Sequence, residues 1–111
     1  MPITVTTCQA AIAEFFVQQV TDYLAARLDL PIQFVNNIPW QERQRGLDAG
    51  QIDIGWICSA PYVRRIDARL ANIELLAAPV MAAARYDNQA VYFSDVIVRH
   101  DSPHQKFADL R

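Results

Sequence analysis

The feature that most constrains the fold of this chain is a regular alternation of short β-branched segments with longer amphipathic ones. Residues Ile3 to Thr7 and Ile32 to Val35 have the β-branched and aromatic composition of strands. Between them, Ala10 to Leu28 is predicted to be an amphipathic helix that ends at Asp29-Leu30-Pro31. A strand, a helix and a second strand in this order predict a right-handed βαβ unit. The apolar residues of the helix recur in steps of three and four and form its predicted packing face: Ile12, Phe16, Val20, Tyr23, Leu24 and Leu28.

The same alternation continues through the middle of the chain. A turn at Asn36 to Pro39 leads into a second helix, Trp40 to Ala49, which Gly50 ends. A third strand is predicted from Ile52 to Ile57, and a third helix from Ser59 to about Leu70. We therefore expect an α/β fold, with a mainly parallel sheet of βαβ units flanked by helices.

The C-terminal part of the sequence is predicted to add two more strands. They cover residues 73–83 and 90–99, run antiparallel to each other, and are separated by a polar turn at residues 85–89. A short helix is expected over residues 105–110. On this prediction the whole chain, residues 1–111, forms a single α/β lobe.

Composition and charge narrow the classes of function. With 52% hydrophobic and 20% charged residues, the chain has the balance of a water-soluble globular domain. No apolar run is long enough to span a membrane, and no export signal is visible at the start. The net charge of -2 argues against nucleic acid as a partner, because a phosphate backbone is bound through clustered Lys and Arg. We interpret the adjacent Arg64 and Arg65 as a solvated helix face.

The two cysteines, Cys8 and Cys58, are too few for a zinc site, and we predict no metal and no cofactor. They follow the first and third predicted strands, which are neighbours in the commonest doubly wound order, so the thiols are expected to approach each other. A disulfide and a pair of small buried hydrophobic side chains are both compatible with this placement. No catalytic residue is predicted, because both histidines, His100 and His104, lie in the C-terminal segment.

Candidate ligand-binding residues follow the predicted strands, since open parallel sheets bind ligands where their carboxyl ends meet helix N-termini. Ser59 is predicted to cap the third helix, and such a helix start favours an anion, although capping alone explains the serine equally well. Trp40, Tyr62 and Tyr92 are candidate walls of a pocket, with core packing as the alternative for each. The candidate ligand-binding residues are Cys8, Gln9, Trp40, Ser59, Ala60, Tyr62 and Tyr92.

Four segments occur in an order and spacing typical of one known family. These segments are Leu47 to Ile54, Ser59 to Val63, Tyr92 to Val98, and Asp101-Ser102-Pro103 leading to Phe107 to Arg111. Together they resemble the N-terminal portion of the phosphate-, phosphite- and phosphonate-binding components of ABC importers, which have the type 2 periplasmic binding-protein fold. Trp40 stands where this family more often has a tyrosine, and Cys58-Ser59-Ala60-Pro61-Tyr62 stands where it usually has Gly-Pro-Ala-Pro-Tyr.

The resemblance implies a two-lobed receptor that closes on a small oxyanion and delivers it to an ABC permease. It makes this chain the first lobe, with residues 90–99 as the strand leading toward the hinge and Tyr92 as the family's tyrosine before that strand. The implied location of the full-length protein is periplasmic, or extracellular and lipid-anchored. Because the second lobe lies outside these residues, we expect weak or undetectable binding by them alone. An apolar face left without its partners is expected to favour a homo-oligomer.

Two other functions are compatible with the sequence. One is a solute-sensing domain of a signalling protein, because the same fold serves transport and sensing. The other, with less support, is a thiol-dependent enzyme in which Cys8 or Cys58 is the nucleophile.

Overall fold

A computed structural model describes residues 1–70 and 73–110 of the protein. The chain forms two compact units, residues 1–74 and 75–111, and each is described by itself below. All regular strands and α-helices of the described residues belong to the first unit. They are β1 (Ile3–Thr7), α1 (Ile12–Leu28), β2 (Ile32–Val35), α2 (Trp40–Asp48), β3 (Ile54–Trp56) and α3 (Ser59–Ala68).

The three strands form one parallel sheet in the order β2-β1-β3. Val5 at the centre of β1 pairs with Phe34 on one side and Ile54 on the other. Parallel neighbours require a crossover, and α1 and α2 provide the two crossovers here. The predicted α/β fold with parallel βαβ units is confirmed for this unit, and the bounds of β1 and β2 agree with the prediction.

The central strand β1 is the most buried element, although its last two residues are polar. Val5, Thr6 and Thr7 are all buried. The Thr6 hydroxyl donates a hydrogen bond to the Val35 carbonyl at 2.6 Å, and the Thr7 hydroxyl donates to the Trp56 carbonyl at 3.2 Å. Because both hydroxyls have acceptors, the threonines are buried without the free-energy cost of an unpaired polar group.

Helix α1 packs on the sheet through a different face from the one predicted. Val17 and Thr21 are its buried residues, each only 1% exposed, and the Thr21 hydroxyl donates to the Val17 carbonyl at 2.8 Å. Because the Thr21 hydroxyl has an acceptor within the helix, Thr21 can be buried without an unpaired polar group. Of the predicted packing residues, Val20 and Leu24 are half-buried and the others are exposed: Ile12, Phe16, Tyr23 and Leu28.

The link from α2 to β3 is a tight turn packed against the sheet. Gly50, with φ +69°, takes the left-handed conformation that ends helices, and the amides of Gln51 and Ile52 donate to the Gly46 carbonyl at 2.8 and 3.1 Å. Leu47 is buried and lies against the backbone of Gly55, so closely that a Cβ at Gly55 would overlap Leu47 Cδ2. The predicted helix end at Gly50 is therefore confirmed.

Asp53 ties the turn before β3 to the start of β1. Its Oδ2 accepts hydrogen bonds from the Thr4 amide at 2.8 Å and from the Thr4 hydroxyl at 2.7 Å, while its own amide donates to Thr4 Oγ1 at 3.1 Å. These hydrogen bonds lower the pKa of the Asp53 carboxyl, the Thr4 amide contributing most. Asp53 belongs to the family-like segment Leu47 to Ile54 and is exposed. Its hydrogen bonds to Thr4 join β1 to the turn before β3.

The second unit lacks the two predicted strands. Residues 73–83 and 90–99 contain no strand, and the regular elements of this unit are the 3₁₀ turns Ala84–Tyr86 and Phe107–Leu110. Arg85 forms an ion pair with Asp95 at 3.2 Å, and its guanidinium lies 4.2 Å from the centre of the Phe93 ring. Side-chain contacts of this kind do not replace the backbone ladder that defines a strand, and both strand predictions were wrong. The single lobe over residues 1–111 stays a prediction.

No helix among the described residues is long and apolar enough to cross a membrane.

Leu47→Ala tests the packing under β3. Leu47 is 8% exposed, so its truncation leaves a cavity between α2 and the sheet, and we expect a loss of about 2–5 kcal/mol in the free energy of unfolding. The matched control is Leu70→Ala, because Leu70 is 69% exposed and its truncation should change stability by less than about 0.5 kcal/mol. Chemical denaturation measures both, and equal losses would contradict the packing described.

Asp53→Asn tests the carboxylate that joins β1 to the turn before β3. The pKa of Asp53 is lower in the folded chain than in the unfolded one, so its charge stabilises the fold above about pH 4, the ordinary range of an aspartate. This stabilisation is lost as the pH falls through the lowered pKa of the folded state. We expect a lower Tm for Asp53→Asn at neutral pH and a gap to wild type that narrows in acid. Asp67→Asn, on the exposed end of α3, is the control. A gap that does not change with pH would show that the charge of Asp53 is not involved.

Candidate functional site

The candidate site is the edge of the first unit at which all three strands end, here called the carboxyl edge. Strands β1, β2 and β3 end at Thr7, Val35 and Trp56, and short loops lead from them into α1, α2 and α3. Because the strands are parallel, the three helices begin at this same edge. Each helix start carries a partial positive charge, so the edge favours negative charge.

Cys8 and Gln9 lie at the centre of the carboxyl edge, directly after β1. The Cys8 amide donates to the Trp56 carbonyl at 3.1 Å, which continues the ladder between β1 and β3 beyond the last strand residue. The Gln9 amide donates to Thr7 Oγ1 at 3.2 Å. The structure therefore brings these two half-buried candidates beside the loop that leads into α3.

The start of α3 at Ser59 agrees with the prediction, whereas the cap position belongs to Cys58. Cys58, with φ -68° and ψ 152°, occupies the cap position, makes no capping hydrogen bond through its side chain, and accepts the Tyr62 amide at its carbonyl at 3.2 Å. Ser59 is already the first helical residue, so the prediction that it occupies the cap position was wrong. The extended backbone of Cys58 is the reason, because the helix turns only after it. Ser59 and Ala60 are exposed at the carboxyl edge, and Tyr62 is half-buried.

Two of the three candidate aromatic walls, Trp40 and Tyr92, are exposed. Trp40 is the first residue of α2, is 52% exposed, and follows Pro39, whose carbonyl accepts the amides of Glu42 and Arg43 at 2.9 and 3.0 Å. Tyr92 belongs to the second unit and is 68% exposed. Neither ring is part of a core, so core packing, the alternative interpretation of Trp40 and Tyr92, does not apply to them.

Two arginines of the first unit were missed or misread in the sequence. Arg43 on α2 is buried and forms an ion pair with Glu14 of α1, Nη1 to Oε1 at 3.3 Å. Arg65 on α3 makes a bidentate ion pair with Asp48, Nε to Oδ1 at 2.8 Å and Nη2 to Oδ2 at 3.2 Å. The prediction of Arg65 as part of a solvated face was therefore wrong, because Asp48 holds it partly buried against the end of α2. Arg43 lies four residues before the buried Leu47, and this helical spacing was the signal that the two share a face of α2.

These charges act on the Cys8 thiol. Burial raises the pKa of Cys8, the positive charges of Arg43 and Arg65 oppose this rise, and Asp48 and Cys58 add to it. Both cysteines are free thiols, so the structure contains no disulfide between them. A thiol nucleophile needs a lowered pKa, and the raised pKa of Cys8 argues against the thiol-dependent enzyme. The described residues contain no cluster of three or more His, Cys, Asp or Glu side chains that could hold a metal ion.

The first unit is a parallel α/β fold, and a comparison of sequences identifies the family of the chain. The family described as the periplasmic substrate-binding protein of a phosphonate ABC transporter matches residues 5–111, as a partial N-terminal portion. The chain belongs to this family, and the resemblance found in the sequence is confirmed. No curated protein and no solved structure showed a significant match to the chain. The family is a substrate-binding transport component and not an enzyme, and it is periplasmic.

Alkylation tests the environments of the two thiols. Cys58 is exposed and Cys8 is half-buried with a raised pKa, so iodoacetamide at about pH 8 should modify Cys58 several times faster than Cys8. The variants Cys8→Ser and Cys58→Ser each leave one thiol, and mass spectrometry gives the rate for each. A faster reaction at Cys8 would contradict the burial described and would restore the thiol nucleophile as a hypothesis.

Proposed function

We propose that this chain is the solute-binding lobe of an ABC-importer receptor for phosphate, phosphite or phosphonate-type oxyanions. The observation that carries the proposal is the meeting of three helix N-termini at the carboxyl edge of a chain that belongs to the phosphonate-binding family. A small oxyanion presents acceptor oxygens and negative charge, which are what helix starts bind. The description of the family as a transport component favours the receptor over a signalling domain and over an enzyme.

Within this proposal, the residues at the carboxyl edge have distinct roles. The first turn of α3, with Ser59 and Ala60, faces the ligand with its positive end, and Cys8 and Gln9 border it from β1. Trp40 provides an exposed ring and an indole N–H donor at the start of α2. Tyr62 adds a half-buried ring to the same edge.

Tyr92 is proposed as a ligand residue on the family resemblance, together with its exposure in the second unit. Delivery to a permease, a periplasmic or lipid-anchored full-length protein, and association through an apolar face belong to the same proposal. They are supported by the family match and by the exposed apolar residues of α1, among them Phe15 and Tyr23.

A titration followed by two-dimensional amide NMR tests this function on the 111-residue chain. Methylphosphonate, phosphate and phosphite should shift the amide signals of Cys8, Gln9 and Ala60, with a Kd of roughly millimolar or weaker because a single lobe does not enclose the ligand. Tetramethylammonium is the control ion and should leave these signals in place. Anion-induced shifts that avoid the carboxyl edge would contradict the proposed site.

Trp40→Ala provides the matched variant for this titration. We expect it to weaken methylphosphonate binding, because it removes both the ring and the N–H donor from the carboxyl edge. Tyr23→Ala removes an aromatic ring of similar exposure from the middle of α1 and should leave the Kd unchanged. Equal effects of the two substitutions would show that Trp40 is not part of the binding surface.

A further inference from the structure

Arg43 is a buried cation whose charge is incompletely paired. Arg43 is only 7% exposed. Its Nη1 contacts Glu14 Oε1 at 3.3 Å, and its Nε is buried without a hydrogen-bond partner among the described residues. Burying a guanidinium is costly unless its charge and its donors are fully matched. The same unit contains a fully matched case, because Arg65 holds Asp48 with two contacts. Arg43, in contrast, joins α1 to α2 through a single contact and keeps a buried donor that no described residue matches.

The position of Arg43 connects its charge to the carboxyl edge. Arg43 and Glu14 both lie close to the starts of helices that begin at this edge, α2 and α1. Of the charged groups that act on the Cys8 thiol, Arg43 has the largest effect, ahead of Arg65, Asp48 and Cys58, and it favours negative charge. Arg43 thus lies near the start of a helix that begins at the carboxyl edge, and its charge favours negative charge on Cys8, which follows β1 at that edge.

We propose, on the basis of the function proposed above, that Arg43 determines specificity by favouring doubly charged oxyanions over singly charged ones of similar size. Arg43 acts through its field and not by contact, because its side chain is buried. The attraction between a fixed charge and a ligand grows in proportion to the ligand charge, so a dianion gains about twice as much as a monoanion. Glu14 reduces this gain, since its negative charge partly offsets that of Arg43. The favoured ligand class is the fully ionised alkylphosphonate or phosphate.

The ratio of two affinities tests this role. Methylphosphonate above its second ionisation is a dianion, whereas hypophosphite has one ionisable oxygen and stays a monoanion. Arg43→Gln should lower the affinity for methylphosphonate relative to hypophosphite by on the order of tenfold, and Arg43→Lys should retain the wild-type ratio. Glu14→Gln should shift the ratio in the opposite direction, toward methylphosphonate. If the role of Arg43 is purely structural, Arg43→Gln should instead weaken the binding of both anions equally. Glu14→Gln should then leave the ratio of the two affinities unchanged.

A second measurement reads the field of Arg43 without any ligand. In a Cys58→Ser background, the pH dependence of alkylation gives the pKa of Cys8, with Arg43, Arg65 and Asp48 as the remaining charged groups that act on it. Arg43→Gln should raise this pKa, because it removes the largest favourable charge. Arg45→Gln, an exposed arginine on the same helix, should leave it unchanged. An unchanged pKa in Arg43→Gln would overturn the inference even if that variant binds both anions poorly.

The two proposals fail in different ways. A wild-type chain whose Cys8, Gln9 and Ala60 amide signals respond to neither methylphosphonate nor hypophosphite, even at concentrations well above millimolar, contradicts the proposed function and, with it, the inference. A wild-type chain that binds both anions, with the same ratio in Arg43→Gln and Glu14→Gln, overturns the specificity role of Arg43 alone.

Discussion

The architecture depends on β1 having a parallel strand on each side. The pairing of Val5 with Phe34 and with Ile54 uses both hydrogen-bonding edges of the central strand and fixes which end of each strand faces which loop. Parallel pairing obliges the chain to return through a helix each time, so all three helices must start at one edge. The carboxyl edge therefore follows from the pairing of β1, and a change of register in β1 would shift Cys8 and Gln9 relative to the ends of β2 and β3.

Threonine at the end of β1 reconciles burial with the polar requirements of that edge. Thr6 and Thr7 are buried, and their hydroxyls donate to carbonyls at the last residues of β2 and β3. Valine in either place would fill the same volume and remove these additional donors. The hydroxyl of Thr7 also accepts the amide of Gln9, which directs the chain out of the sheet toward α1. The sheet thus ends in hydrogen bonds that fix the loops leading to the helix starts.

Local patterns predicted the first unit well because its strands and helices are specified by neighbours in sequence. The β-branched run Ile3–Thr7 and the helix start at Trp40 were predicted at the observed residues. The buried face of α1 was not predicted correctly. Hydrophobicity alone ranks Ile12 and Tyr23 above Thr21, whereas packing on the sheet buries the smaller Thr21. The strands over 73–83 and 90–99 were wrong because a strand needs a partner, and a partner is a property of tertiary structure. Arg43 was missed because arginine usually lies at the protein surface, and its partner Glu14 is distant in sequence.

The burial of Arg43 also links ligand binding to stability. A guanidinium taken out of water and paired through one contact leaves part of its desolvation cost unmet in the ligand-free chain. An anion at the carboxyl edge would offset part of this cost through its attraction to Arg43, and the folded state with ligand would be stabilised by that amount. A chain with a net charge of -2 can accordingly favour anions, because the local field of Arg43 and the helix starts acts on the edge more strongly than distant surface charges do. The same attraction that selects a dianion would then reduce the cost of burying Arg43 in the ligand-bound chain.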